Sequence, residues 1–217
     1  MDPNTLRDVT KSNRSNPLAL AVLACLYERP MHPYEVAQTL RTRAKHESIR
    51  LNYGSLYGVV EGLEKRGFIH ARETVREGKR PERTIYEITD TGARELNDWL
   101  TDLVARPEKE YLQFEAALSL LPVLPPDVAV EVLKERMTKL EVQLAQMRGG
   151  LQAARDAGIP RLFEIESEYV EGLARAELEF VGRLVKDIES GELEGIDLWH
   201  SFLADDDFSW HPEEPEP

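Results

Sequence analysis

A mainly helical fold with one small β-ribbon, divided into two modules, is predicted by three observations. Apolar residues recur at helical spacing through most of the chain, the spacing changes to alternation only between Phe68 and Thr89, and the charge balance differs sharply between the two halves. At 217 residues the chain can build one large core or two modest ones, since domains run to ~100–150 residues. The expected organisation is a flexible arm over 1–15, a helix-and-ribbon module over 16–107, a helical dimerisation module over 108–191 and an acidic tail over 192–217. That tail is expected to be mobile, at least from Asp205 onward.

Taken in order, Asn16-Pro17 is a helix start: asparagine supplies a capping oxygen, and proline sits where its missing N–H costs nothing. Leu18, Val22, Cys25 and Leu26 follow at helical spacing up to Pro30. A second helix is predicted from Pro33, with Val36, Ala37 and Leu40 on one face, fading into the basic stretch Arg41 to Lys45. A third is predicted from Tyr53 to Arg66, with Leu56, Val59, Val60 and Leu63 on one stripe and Gly67 as its left-handed stop. Phe68 to Val75 and Thr84 to Thr89 read as strands around a charged tip, Arg76 to Arg83. A fourth helix, capped by Thr89 or Asp90, places Leu96, Trp99, Leu100 and Leu103 on one face before Pro107.

The second half shows no strand signal. A short helix is predicted over Tyr111 to Leu121, and Pro125-Pro126-Asp127 opens a long one. In that long helix Val130, Leu133, Met137, Leu140, Leu144, Met147 and Leu151 are spaced 3, 4, 3, 4, 3, 4, a heptad seam that calls for a partner helix. A coiled-coil dimer interface is therefore expected on Leu133, Met137, Leu140, Leu144, Met147 and Leu151. Gly149-Gly150 marks a kink or an early end. A further helix to about Ser190 is expected to turn Leu162, Ile165, Tyr169, Leu173, Ala176, Phe180, Leu184 and Ile188 inward.

Three helices, a ribbon and a closing helix follow the order of a winged helix-turn-helix, whose third helix enters the major groove of DNA. The net charge of −13 opposes such a role at first, but residues 1–107 carry 17 basic to 15 acidic side chains and residues 108–217 carry 10 to 25. Within 41–83 the balance is 11 to 6, and local potential within a Debye length of ~8–10 Å decides phosphate binding. On the third helix the face opposite the apolar stripe is slim, with Gly54, Gly58 and Gly62 recurring every fourth residue. Either that face closely approaches a groove, or another helix packs on it. Asn52, Tyr53, Gly54, Ser55, Tyr57, Gly58 and Lys65 are the candidate contacts of this helix. The two tyrosines can equally be core residues with their hydroxyls at the rim. Arg76, Lys79, Arg80 and Arg83 on the ribbon either reach phosphates or form a solvated hairpin. Tyr34, Arg41, Arg43 and Lys45 are expected on the phosphate backbone. Trp99 either lines an effector cavity or belongs to the core.

Several stretches carry a resemblance: Met31-His-Pro-Tyr-Glu-Val36, Tyr53-Gly-Ser-Leu-Tyr57, Leu63-Glu-Lys-Arg-Gly-Phe-Ile69, Gly78-Lys-Arg-Pro-Glu-Arg-Thr-Ile-Tyr86 and Ile88-Thr-Asp-Thr-Gly92. In order and spacing, over about residues 17–105, they resemble the PadR family of transcriptional regulators, in its larger type with a helical C-terminal domain. The resemblance implies a homodimer on a palindromic operator in double-stranded DNA, acting usually as a repressor released by a small molecule. It also implies that the third helix and the wing touch DNA. Pro33-Tyr34 stands where the family usually has Gly-Tyr, and Gly58 where proline commonly follows the Leu-Tyr pair.

Other classes find less support. The five histidines show no ligand spacing and Cys25 has no cysteine companion, so no metal or cofactor is expected. No phosphate-cradling glycine loop or nucleophile elbow appears, so no enzyme is expected. No apolar run is long enough for a membrane span and no secretory signal is read at the start of the sequence, so a cytoplasmic protein is expected. The alternative to a DNA-binding regulator is a winged-helix adaptor that binds proteins instead of DNA, as the acidic second half would allow.

Overall fold

The computed structural model describes residues 16–46, 48–75, 83–107 and 109–204. They form two compact units that divide between Lys109 and Glu110.

In the first unit, α1 (Pro17–Glu28) is apolar on nearly every side and is the central element. A helix of that composition is stable only when surrounded. Leu18, Val22, Leu23, Cys25 and Leu26 are buried, with α2 (Pro33–Thr42), α3 (Tyr53–Lys65) and α4 (Asp90–Ala105) packed around it. Each helix start is satisfied by its own sequence. Asn16 Oδ1 accepts from the Leu18 N–H at 3.1 Å. His32 Nδ1 accepts from the Tyr34 N–H at 3.1 Å, while Glu35 returns a bond to the His32 N–H at 2.9 Å, closing a capping box. Thr89 Oγ1 accepts from the Gly92 N–H at 3.0 Å and donates to the Gly67 carbonyl at 2.8 Å, tying the start of α4 to the end of α3.

Gly67, at φ +73°, turns the chain out of α3 into β1 (Ile69–Val75). β1 pairs antiparallel with β2 (Arg83–Ile88), from Ile69 opposite Ile88 to Val75 opposite Arg83, with a bulge between Ala71 and Glu73. Met31, in the link between α1 and α2, exchanges two backbone bonds with Tyr86 of β2 at 3.1 and 3.0 Å, adding a one-residue third strand to the foot of the ribbon. Gly92 has a steric reason: a Cβ there would sit 2.0 Å from the Phe68 carbonyl oxygen. Trp99 belongs to the core of this unit, with 3 % of its surface exposed. In the single chain it packs within this core and lines no open surface. Its indole N–H has no partner among the described residues.

The second unit is helical throughout its described residues. It comprises α5 (Gln113–Ser119), a 3₁₀ turn over Leu121–Val123, α6 (Pro126–Asp156), a second 3₁₀ turn over Arg161–Phe163, α7 (Ile165–Ser190) and α8 (Ile196–Ala204). α6 runs 31 residues without a break at Gly149-Gly150, because one helix can absorb ~1 kcal/mol per glycine when a long neighbour supports it. α7 is that neighbour. The ion pairs Lys134–Glu189, Arg148–Glu171 and Arg155–Glu164 show the two helices running antiparallel.

Three expectations need correction here. The partner that the α6 seam calls for is α7 of the same chain. Leu133, Leu140, Leu144 and Leu151 are buried in this hairpin, and Met137 and Met147 pack at its margin. These six residues are therefore internal contacts, not a surface awaiting a second chain. α7 meets them with Ala174, Val181, Val185 and Ile188. Consequently Leu162, Ile165, Tyr169, Leu173 and Phe180, expected inward, are 42–70 % exposed. Finally, the segment after Gly191 is not a tail from its first residue: α8 is formed, and Trp199 is buried with its indole N–H donating to the Leu124 carbonyl at 2.9 Å. The rest of that expectation, from Asp205 onward, lies outside the described residues, as do the arm 1–15 and the ribbon tip 76–82.

Candidate nucleic-acid interface

α3 is amphipathic in the sense that its sequence requires. Leu56, Val60 and Leu63 are buried on one side, and Gly54, Ser55, Tyr57, Gly58, Glu61 and Lys65 are exposed on the other. A Cβ built on Gly58 or on Gly62 meets nothing within 4 Å, and one on Gly54 meets only Asn52 Oδ1 at 3.6 Å. Among the described residues nothing comes within 4 Å of a Cβ at Gly58 or Gly62, so close helix packing does not account for those two glycines. The face is open, and it is slim because the residues on it lack side chains.

At the start of α3, Asn52 Oδ1 accepts from the Ser55 N–H at 2.7 Å. The amide oxygen is thus committed to the cap, and the NH2 group remains as a donor. Tyr53 opens the helix, and its side chain lies outside the described residues. Tyr57 is half exposed, so it is not a core residue. Lys65 pairs with Glu61 one turn earlier at 2.8 Å. Their hydrogen bond and then their charge attraction hold the Glu61 carboxyl below, and the Lys65 ammonium above, their ordinary values. Both side chains are exposed, so the pair is weak and a phosphate can compete for the lysine.

In the second-helix region, Tyr34 is partly exposed and its hydroxyl accepts from Gln38 at 3.1 Å. Arg41 and Lys45 are exposed or half exposed. Arg43 makes a two-pronged pair with Glu28 of α1, one prong at 2.7 Å. Hydrogen bonding first, and charge second, pulls the Glu28 carboxyl down. The fold thus uses Arg43 to fasten α2 to α1, and it is the candidate whose charge is least available to DNA. On the ribbon, Arg83 is exposed at the start of β2, whereas Arg76, Lys79 and Arg80 lie outside the described residues.

Residues that sequence reasoning did not nominate line the same face, Asn16, Ala19 and Arg66 among them. Asn16 and Ala19 form one wall of a groove of about 490 Å³, and Ser55, Gly58, Val59, Gly62 and Arg66 form the other. Arg66 donates from Nε to the Gly62 carbonyl at 3.0 Å, and its guanidinium lies 5.4 Å from the centre of the Phe68 ring. The spacing 58, 62, 66 signals a shared face and points to Arg66. Nothing local in the sequence identifies Asn16, because its visible role is the cap of α1.

Among the described residues there is no group of three or more His, Cys, Asp or Glu able to hold a metal ion. Nor is any described helix long and apolar enough to cross a membrane.

Comparison with known proteins bears directly on this arrangement. The negative transcriptional regulator PadR of Bacillus subtilis is 25 % identical over 152 residues, which cover 67 % of this chain and 79 % of that protein. Among solved structures, Bacillus subtilis PadR in complex with operator DNA superposes with a TM-score of 0.64 at 19 % identity, over 80 % of this chain and 99 % of that one. The same regulator in complex with p-coumaric acid gives a TM-score of 0.64 at 17 % identity, over 79 % and 98 %. These likenesses establish the winged-helix fold with a helical C-terminal region, and the relatives are transcriptional regulators, not enzymes. The model of the transcriptional regulator PadR-like family matches residues 22–98, from α1 into α4, so the first unit carries a domain similar to those of PadR-like transcriptional regulators.

Proposed function

We propose that the protein is a homodimeric repressor that binds a palindromic site in double-stranded DNA. The outer side of α3 lies in the major groove and the ribbon lies on the flanking backbone. The observation that carries the reading is the open, glycine-lined face of α3, which lets the helix backbone approach the bases closely. Asn52, Ser55 and Tyr57 supply hydrogen bonds around that face, Lys65 a charge at its far end, and Tyr34, Arg41 and Lys45 contacts to phosphates. Arg83, with Arg76, Lys79 and Arg80 beyond it, extends the contact along the ribbon. The acidic second half keeps non-specific attachment to DNA low.

The dimer is assigned to α7 in place of the α6 seam. Ile165, Tyr169, Leu173 and Phe180 make an outward apolar stripe at spacings of four and seven, with Leu162 in the turn before it, which the same stripe of a second chain can cover about a two-fold axis. Replacing Tyr169 and Leu173 by glutamate is expected to halve the mass seen in light scattering while leaving the α6–α7 hairpin folded. Retention of the dimer would move the interface elsewhere. An aromatic acid bound to the Bacillus subtilis relative supports a small-molecule effector that releases the operator.

The DNA reading is tested by fluorescence anisotropy with duplexes tiled across the region upstream of the chain's own gene. A two-fold site is expected, with an affinity that falls steeply as salt rises. Binding of no duplex, together with retention of a protein partner, would establish the winged-helix adaptor in its place.

A further inference from the structure

We propose that the groove between the start of α1 and the outer face of α3 seats a phosphate of the DNA backbone, held by Arg66 and the side-chain amide of Asn16. The inference rests on the DNA-binding reading above and concerns how that same surface fixes the position of α3 on the duplex. The groove, of about 490 Å³, has Asn16 on one wall and Ser55, Gly58, Gly62 and Arg66 on the other, and no carboxylate lines it. Asn16 commits its Oδ1 to the Leu18 N–H at 3.1 Å, which leaves its NH2 group as a donor. Gly58 and Gly62 keep the space above them open, so no side chain of theirs stands between the two walls.

Arg66 supplies the charge of this groove, and the fold has already set its pose. Its Nε donates to the Gly62 carbonyl at 3.0 Å, and its guanidinium lies 5.4 Å from the centre of the Phe68 ring. That uses one of five N–H groups and leaves those on the two Nη atoms for the oxygens of a phosphate. A guanidinium placed beforehand also loses less freedom when it binds. Other basic side chains of the face are already neutralised: Arg43 is bound to Glu28 at 2.7 Å and Lys65 to Glu61 at 2.8 Å, whereas among the described residues no carboxylate pairs with Arg66. Its place selects the backbone over the bases. A helix in the major groove reads base edges with its N-terminal residues while the first helix crosses the backbone; Arg66 caps the C-terminal end of α3, and the facing wall belongs to α1.

The test uses the full chain and a duplex that the wild type recognises, with anisotropy followed across a range of salt concentrations and thermal unfolding measured in parallel. Arg66→Gln removes the charge and keeps a side-chain amide. Losing one phosphate contact per chain lowers the slope of log affinity against log salt by ~1.8 on a two-fold site, equivalent to a ~30-fold weaker complex at ~0.15 M salt. Unrelated duplexes lose affinity by the same factor, because a phosphate contact carries no sequence information. Asn16→Asp keeps the oxygen that caps α1, as aspartate caps as well as asparagine, and sets a negative charge against the phosphate; binding falls at least ~10-fold while the unfolding midpoint holds. A neutral methylphosphonate scanned along the duplex weakens the wild type at one phosphate of each half-site and leaves Arg66→Gln indifferent there. An unchanged salt slope for Arg66→Gln, or undiminished binding by Asn16→Asp, with wild-type binding intact, overturns the phosphate seat and leaves the α3 reading standing. A loss confined to the recognised sequence makes Arg66 a reader of bases and overturns it equally. A wild type that binds no duplex removes the α3 reading and this one with it.

Discussion

Replacing Gly58 with alanine separates what the glycine does for the fold from what it does for DNA. The added methyl meets no atom within 4 Å and the residue lies inside α3, so nothing among the described residues opposes it. Alanine is favoured over glycine in a helix interior by ~1 kcal/mol. For a domain of the first unit's size each kcal/mol moves the unfolding midpoint by ~4–8 °C. Gly62→Ala has the same open surroundings, and the double variant should gain up to ~2 kcal/mol. On DNA the effect has the opposite sign. A methyl standing ~1.5 Å off the helix backbone forces the helix away from the groove and lengthens the hydrogen bonds around it. A tenfold loss corresponds to ~1.4 kcal/mol, and at least that is expected for the single variant. Circular dichroism at 222 nm and anisotropy with the operator duplex read the two effects independently. Higher stability with undiminished affinity would refute the close approach, and lower stability would show that something covers the face.

Three further outcomes follow from the geometry. Gly92→Ala, which places a Cβ 2.0 Å from a backbone carbonyl, should cost ~3 kcal/mol or more in denaturant unfolding, because backbone at both sites must shift. Burial first, and the nearby Arg83 second, lower the proton affinity of His32 despite Glu35 acting the other way, and its Nδ1 is the acceptor that caps α2. With the folded value depressed, this cap is fully present above about pH 6.5 and is lost as the pH falls below it; His32→Asn, a cap that does not titrate, should flatten the fall in unfolding midpoint between pH 7 and pH 5. Leu144→Ala empties a buried position between α6 and α7 and should cost ~2–5 kcal/mol in the second unit, measured by calorimetry, whereas Val142→Ala on the exposed side should change it little.

The first unit was legible because its signals are local and mutually consistent. Asn16, Asn52 and Thr89 each cap the helix that follows, Gly67 ends α3, and the change of period at Phe68 marks the ribbon. Trp99 and Tyr57 were ambiguous at that level, since an aromatic at helical spacing does not reveal which way the rest of the fold faces it. The second unit was legible as helices and misleading as an assembly. The α6 heptads announce that a partner exists without saying whose it is. α7 carries two stripes. The larger one, Ile165 to Phe180, looks like the core by side-chain volume, yet Ala174, Val181, Val185 and Ile188 face the α6 leucines. Small and β-branched residues let two helices approach closely, a preference that depends on the neighbour as much as on the helix itself. α8 is hard to see in the sequence because acidic residues surround its short apolar run, and its anchor, Trp199, is held by Leu124 far back in the chain.

The double bond between Met31 and Tyr86 has a mechanical consequence. Because it pins β2 at Tyr86, near its C-terminal end, the ribbon is a lever whose fulcrum is the link between α1 and α2. Displacing that fulcrum would drag the link between α1 and α2, and with it the His32 cap. A load applied at the ribbon's free end is thereby delivered to the N-terminus of α2 through two peptide groups.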